Sequence, residues 1–400
     1  MTKKTVNMTL VTIAILSLGL QDIGSGAASP ALADIMKAFP SVDPTVIMNI
    51  ASLPALIPVF VAPLYSKLVQ YMRKRTLMFI GLSLFIVGGV LPAFLNSIPL
   101  ILVCRALLGA GVGITLPLSL GLVSDYFDGE KRDNLMGYHV TLASLGGMFF
   151  QFVGGYLATF NWHYCFYAYF FPIWIIVFTF FFLPEPQKKQ EQSIKDEQET
   201  MSVSKKLSSK VYITCASFLI FNLINFAMVT NLAVVIVGGN LGDANNAGIA
   251  FTLYTAGSVF GAFIFGRVKK KIKGYILSYA YSICAVGFFL VFFSTSITMI
   301  YVAIIVAGVG LGSMMPSYYS RLPEIAPPAR LAVANAILIS CQGIGNFVQP
   351  FIYSFILKVA DLPIGRPPIA ITAGLFVVFA IGFLISNIMT KNKPVGLETL

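Results

Sequence analysis

Long apolar stretches alternate with short polar ones from Thr9 to Ile388, and ionisable side chains are almost absent from the apolar stretches. A helix needs about 20 apolar residues to cross a hydrocarbon core of about 30 Å. Stretches of that length begin near residues 9, 46, 76, 98, 135, 162, 210, 246, 274, 297, 331 and 365. The pattern predicts an all-α membrane protein of twelve transmembrane helices, because in lipid the backbone must satisfy its own hydrogen bonds. The first stretch outruns a signal-peptide core and lacks a small-residue cleavage site, so it reads as span 1.

One long polar stretch, from Pro184 to Lys210, interrupts the series and divides six spans from six. It predicts an N-terminal bundle over 1–184, a solvated linker over 185–209 and a C-terminal bundle over 210–400. The halves also repeat at an offset of about 200 residues. Gly109, Gly111, Gly113 and Pro117 answer to Gly308, Gly310, Gly312 and Pro316, and Gly147, Phe149 and Gln151 answer to Gly345, Phe347 and Gln349. Two pseudo-symmetric six-helix bundles in parallel repeat are expected.

Composition fits lipid as the solvent, with 57% hydrophobic and 11% charged residues and a mean hydropathy of +0.83. The net charge of +11 is topological, since it is dispersed over short loops. Only Lys37, Lys358 and Arg366 fall in loops opposite the cationic side, which by the positive-inside rule is the cytoplasm. Both termini are then cytoplasmic and the protein sits in an inner, cytoplasmic membrane. Anionic headgroups, not nucleic acid, are the partners such loops imply. Cys104, Cys165, Cys215, Cys284 and Cys341 form no CxxC pattern, and His139 and His163, both read near span ends, have no ligand at metal-binding spacing. No metal site and no cofactor are predicted.

With these residues in place, the whole chain resembles the major facilitator superfamily. The loop from Ser66 to Arg75 is similar to that family's G-x-L-x-D-R-x-G-R-R motif at Leu68, Lys74 and Arg75, but carries Ser66, Gln70, Tyr71 and Arg73 at its Gly, Asp, Arg and second Gly. In the family that Asp helps to latch the cytoplasmic side, so the resemblance implies a rebuilt gate here. Asp125 is expected to supply its carboxylate to Arg73 or Arg75, with Lys270 in the matching second-half loop. Arg105, Gly109 and Gly111 meet the span 4 pattern R-x-x-x-G-x-G. The antiporter pattern of span 5 finds Gly137, Gly146, Gly154 and Gly155, but Phe150 and Gln151 stand where Gly-Pro is expected. The drug-efflux-like branch is the one resembled most, and its motifs speak to fold more than cargo.

Asp22 and Arg105 are the ionisable residues left deep inside spans. A charge at mid-bilayer costs about 2.5–3.5 kcal/mol even on insertion scales, so such a residue faces a wet cavity, is paired or is neutralised. At a rise of about 1.5 Å per residue, Asp22 lies about 20 Å above the inner end of span 1 and Arg105 about 10 Å below the outer end of span 4. These depths coincide, and an Asp22–Arg105 interaction is expected, direct or through water. Desolvation favours the protonated acid and a guanidinium the ionised one, so Asp22 can load and release a proton with Arg105 as modulator. The alternative is a static pair that orients spans 1 and 4.

The second half offers amides at these depths. Asn222 and Asn225 share a face of span 7, and Gln342, Asn346 and Gln349 share one of span 11. With Gln151, Phe150 and Tyr254 they are the candidate solute-binding residues, although helix-to-helix glue is the competing role of buried amides. The reading that results is a monomeric secondary transporter of a small amphipathic solute, proton-coupled and directed to efflux. Uptake or exchange of an organic anion or sugar without protons is the alternative, and a non-transporting membrane receptor is the different class. No nucleophile–base or metal constellation marks an enzyme, and no phosphate-binding loop marks an ATP-driven pump.

Overall fold

The computed structural model describes residues 8–183, 207–327 and 330–391, so both chain termini and nearly all of the linker predicted over 185–209 lie outside the described residues. Among the described residues, eleven helical spans are long and apolar enough to cross a membrane: Met8–Ala38, Pro44–Tyr71, Lys74–Phe94, Ile98–Tyr126, Gly129–Ala158, Trp162–Phe182, Ser209–Gly238, Ala244–Ile272, Ile276–Phe293, Ile297–Ile325 and Arg366–Met389. Between the last two lies the helix Leu331–Val359, which completes the predicted twelve. They are numbered here as spans 1 to 12 in chain order. The largest departure from expectation is span 5, which begins at Gly129 rather than near 135 because its first turns, Glu130 to Asn134, are polar.

Span 2 shows how local sequence sets a helix. Asp43 caps it by accepting a hydrogen bond from the Thr45 amide at 2.8 Å, and Pro44 occupies the first turn, where no amide donor is needed. Pro54, Pro58 and Pro63 lie inside it, each removing one backbone donor. Span 1 is not one α-helix: Met8–Gly19 is α-helical, the chain turns through residues 20–23, Gly24–Ala31 is a 3₁₀-helix and Leu32–Ala38 returns to α. Its GSGAASPA segment supplies two glycines and Pro30, which weaken the α-helix where it must change pitch. Span 7 is interrupted at the corresponding level, changing from α at Asn225 to a second α segment, Ala227–Ala233, and then a π-turn, Val234–Gly238.

The glycine strings of spans 4 and 10 set the packing of each half. Gly109 and Gly113, one helical turn apart, abut Pro54 and Pro58 of span 2, while Gly111 faces Gly81 and Phe85 of span 3. A Cβ on Gly111 would stand 2.6 Å from the Gly81 carbonyl oxygen. The second half repeats the plan: Gly308 and Gly312 meet Tyr254 and Ser258 of span 8, and Gly310 meets Cys284 of span 9. Close approach without a side chain is how helices associate where lipid and core are equally apolar.

The halves meet through spans 5 and 8 and through spans 2 and 11. Gly155 lies against Gly248 and Ala244, Gly343 against Ala55 and Val59, and the Thr255 hydroxyl donates to Gln151 Oε1 at 2.9 Å. At the end of the bundle opposite the Lys74–Asp125 pair, Lys358 Nζ reaches Asp43 Oδ2 at 3.1 Å. Beside that pair a 250 Å³ cavity opens between the halves, lined among others by Asn231, Tyr353 and Pro368.

Candidate functional site

Arg105 is fully buried, yet it does not pair with Asp22. Its Nε donates to the Ile50 carbonyl at 2.8 Å, Nη1 to the Tyr169 hydroxyl at 2.9 Å and Nη2 to the Ser25 carbonyl at 2.5 Å. The Tyr169 hydroxyl in turn donates to Ser25 O at 2.9 Å. The first acceptor follows from sequence. In an α-helix Ile50 O would take its bond from residue 54, which is Pro54 and has no N–H. The Ser25 carbonyl lies in the non-α part of span 1. The guanidinium fork thus joins the Ile50 oxygen that Pro54 leaves without a helical donor to a carbonyl in the 3₁₀ part of span 1, and this replaces the predicted Asp22–Arg105 interaction.

Asp22 sits in the turn where the first α segment of span 1 ends, with its side chain 2% exposed. Its nearest ionisable neighbour is His139 of span 5, whose Nε2 is 3.4 Å from Asp22 Oδ2. Neither carboxylate oxygen receives a hydrogen bond among the described residues, because the ring nitrogen points more nearly at the Ser119 hydroxyl, 3.0 Å away. Ser119 donates its one hydrogen to the Leu116 carbonyl at 2.9 Å. With that hydrogen on Leu116 O, the Ser119 oxygen accepts from His139, the arrangement in which the neutral ring carries its hydrogen on Nε2. The neighbouring Gln21 is fully buried, and neither end of its amide has a partner among the described residues.

The sequence placed His139 near a span end, and the early start of span 5 corrects this: the residue lies three turns into a helix of 30 residues and is 2% exposed. His163 does lie at a span start, where its Nε2 meets Asn96 Oδ1 at 3.0 Å.

The remaining candidates fall into separate groups. Phe150, expected in a cavity wall, is fully buried in the N-terminal half, stacked on Tyr169 at 5.6 Å between centroids and set edge-on to Phe85. It packs over the break in span 1, where it touches the Gly24 position. Gln151 lies at the seam between the halves, bonded to Thr255. Tyr254 donates to Asn225 Oδ1 at 2.9 Å, while Asn222 donates to the Phe218 carbonyl of its own helix at 2.8 Å. Gln349 accepts from Thr230 at 3.1 Å, and its buried Nε2 has no partner among the described residues. Gln342 and Asn346 are half-buried on the same helix.

The residues expected to form the gate are also wired differently from expectation. Lys74, not Arg73 or Arg75, holds Asp125, at 2.7 Å, while Arg75 donates to the Phe180 carbonyl and lies 5.1 Å from that residue's ring centroid. In the second half Lys269, not Lys270, reaches Glu324, at 3.9 Å, and bonds the Ser320 hydroxyl at 3.0 Å. Lys270 is exposed and lines a cavity of 690 Å³ together with Arg321.

Thr230, Ser119, Tyr169 and His139 were not singled out from the sequence. Only Pro54, four residues after Ile50, carried a local signal that an unsatisfied carbonyl awaited a donor.

Compared with known proteins, the sequence pattern of the Major Facilitator Superfamily matches residues 14–350 and 218–397. Multidrug resistance protein 3 of Bacillus subtilis (strain 168) is 31% identical over 107 residues, which is 26% of this chain and only 21% of that relative's length. Multidrug resistance protein 1 of the same organism is 24% identical over 357 residues, covering 86% of this chain and 89% of that protein. The crystal structure of a D-xylose-proton symporter superposes with a TM-score of 0.68 at 16% identity, over 94% of this chain and 97% of that one, a likeness of fold.

Proposed function

Because the chain belongs to the Major Facilitator Superfamily and is a multi-pass membrane transporter, we propose that it moves a small amphipathic organic solute across the cytoplasmic membrane by alternating access, exchanging it for protons in the efflux direction. The observation that carries this reading is Asp22, a carboxylate 2% exposed inside a membrane bundle, at a helix break, with no hydrogen-bond donor on either oxygen among the described residues. A carboxylate so placed is stable when neutralised, by a proton or by a cationic solute, and the two can therefore compete for it. The buried polar groups of the second half, Asn225, Tyr254 and Gln349, together with Gln151 at the seam, supply uncharged hydrogen-bonding surface for the rest of such a solute. The names of the Bacillus relatives, multidrug resistance proteins, point the same way. Arg105 spends its described contacts on neutral protein oxygens, which weighs against the anion-uptake reading.

The test is transport by purified protein in liposomes carrying a pH gradient, across a panel of amphipathic cations, neutral compounds, sugars and organic anions, with Asp22→Asn alongside. Gradient-driven movement of the cations that disappears in Asp22→Asn is expected. Gradient-driven transport that survives the substitution unchanged refutes the proton-carrier role.

A further inference from the structure

We propose that His139 and Asp22 form one composite proton site, in which the imidazole passes the proton to the carboxylate and sets the pH at which the transporter loads. The inference rests on the proposed coupling role of Asp22. Both side chains are 2% exposed and face each other at 3.4 Å across spans 5 and 1. Span 4 closes the site with Ser119, an acceptor for the Nε2 hydrogen.

Few charges lie along the helices that face the pair, and the cation that comes nearest along span 1 is Arg105, whose Nη2 bonds Ser25 O three residues from Asp22. From span 4 the nearest charges along the helix are Asp125, six residues beyond Ser119, which is held by Lys74, and Arg105, fourteen residues the other way. These are separations of roughly 9 and 21 Å along the axis. On span 5 the nearest charge N-terminal to His139 whose side chain is described is Arg132, about two turns away, and Tyr138 beside it is 61% exposed. Span 6, which also packs on span 1, contributes no titratable side chain over Pro172–Phe182. From span 1 the neighbour is the uncharged Gln21.

The transfer balances without another reactant. An incoming proton forms a bond at Nδ1 and makes the imidazolium; the Nε2–H bond then breaks as Asp22 Oδ2 gains that hydrogen. The ring is left neutral with its hydrogen on Nδ1. Ser119 can turn its hydroxyl from Leu116 O to the emptied Nε2, so no polar atom of the ring is stranded. Release runs the same steps backwards. The site therefore changes its charge by one while the imidazole changes tautomer.

Two measurements test this. In liposomes, the pH midpoint of solute exchange is compared for wild type, His139→Gln and Asp22→Asn. His139→Gln is expected to retain transport at its own optimum but to move the midpoint by about one pH unit or more, the scale of an opposite charge at this distance. The second uses the scarcity of histidine: in a His163→Gln background His139 is the one imidazole in the chain. Its ¹⁵N shifts then report tautomer and titration directly. The Nε2–H form is expected, with a titration midpoint that falls by about one unit or more on Asp22→Asn, since the anion stabilising the imidazolium is gone. An unmoved His139 titration in Asp22→Asn overturns the composite site even if His139→Gln folds poorly, and so does an unmoved exchange midpoint in a well-folded His139→Gln. If Asp22→Asn abolishes gradient-driven transport in the same preparations, the reading of Asp22 stands without its partner. If it does not, the coupling reading itself fails.

Discussion

Arg105 and Pro54 should be energetically coupled, although no hydrogen bond joins their side chains. Replacing Arg105 by Leu removes three donors at once. Ser25 O keeps the Tyr169 hydroxyl, so those two groups lose only the charge-assisted share, about 1 kcal/mol each. Ile50 O is different, because Pro54 denies it the backbone donor of the next turn. Left bare in a dry bundle it costs about 1–3 kcal/mol, which brings the total to about 3–5 kcal/mol. Pro54→Ala restores an N–H four residues after Ile50. In the wild-type background that amide finds its carbonyl already taken, so little is gained. In the Arg105→Leu background it should recover about 1–3 kcal/mol.

Unfolding free energies of the four proteins in mixed micelles give the coupling. Substitutions that do not interact add to within about 0.5 kcal/mol, so additivity within that margin would refute the view that Arg105 is a clamp on released carbonyls. Arg105→Lys sharpens the point. An ammonium keeps the charge but not the three-way fork, so it should be nearly as destabilising as Leu if hydrogen-bond geometry matters, and nearly silent if only charge does.

Three further outcomes follow from packing and from the Asp43–Lys358 pair. Gly111→Ala should destabilise by about 1–3 kcal/mol in the same unfolding assay, because its Cβ meets the backbone of span 3, whereas Gly137→Ala, with nothing within 4 Å, should be neutral. An Asp43→Cys, Lys358→Cys pair bridged by a bis-methanethiosulfonate reagent long enough to replace the two side chains should arrest transport until reduced, since these residues join the halves at one end of the bundle and must part when that end opens; crosslinked protein with full turnover would refute that motion. The Thr45 contacts at the cap, with Lys358 adding less, hold the Asp43 carboxyl below the usual carboxylate range. Its contribution is therefore complete above that range and is lost only as pH falls through the lowered value, so the ion pair should not vary between neutral pH and about pH 5.

Fold was legible in the sequence because hydrophobic length is a one-dimensional quantity. Most span starts fall within two residues of those read from apolar run lengths, and the glycine strings of spans 4 and 10 make repeat-related contacts. The site was less legible, since it depends on where helices deviate from ideality. Taking span 1 as a straight rod put Asp22 and Arg105 at one depth and paired them. The break after Gly19 instead sets Asp22 against span 5 and gives Arg105 the Ser25 carbonyl. The same reading began span 5 at its first apolar residue, so His139 lost nearly two turns of depth and its candidacy. Among the gate cations, the charge of the loop was readable, but which of Arg73, Lys74 and Arg75 would meet Asp125 depends on the phase at which span 3 starts.

The repeat gives this failure a direction. Spans 1 and 7 open their respective halves, and both are irregular near the middle, span 1 through residues 20–23 and span 7 at Phe226. At the offset of the repeat, about 200 residues, the position of Asp22 corresponds to Asn222. The architecture thus provides a break with buried polar side chains near it twice, but an ionisable carboxylate once. An amide can exchange hydrogen-bond partners as the halves rock, but it cannot change its charge within the physiological pH range. Arg105 follows the same asymmetry: its counterpart region in span 10 is the run Ile304–Gly308, which contains no cation, and the buried polar contacts of the second half link Tyr254 to Asn225 and Thr230 to Gln349. If a proton drives this transporter, its binding energy enters through the first half alone, and the second half responds through the seam where Gln151 meets Thr255. Breaking that contact with Thr255→Val should accordingly reduce gradient-driven transport more than it shifts the pH midpoint, because it lies between the halves and not at the proton.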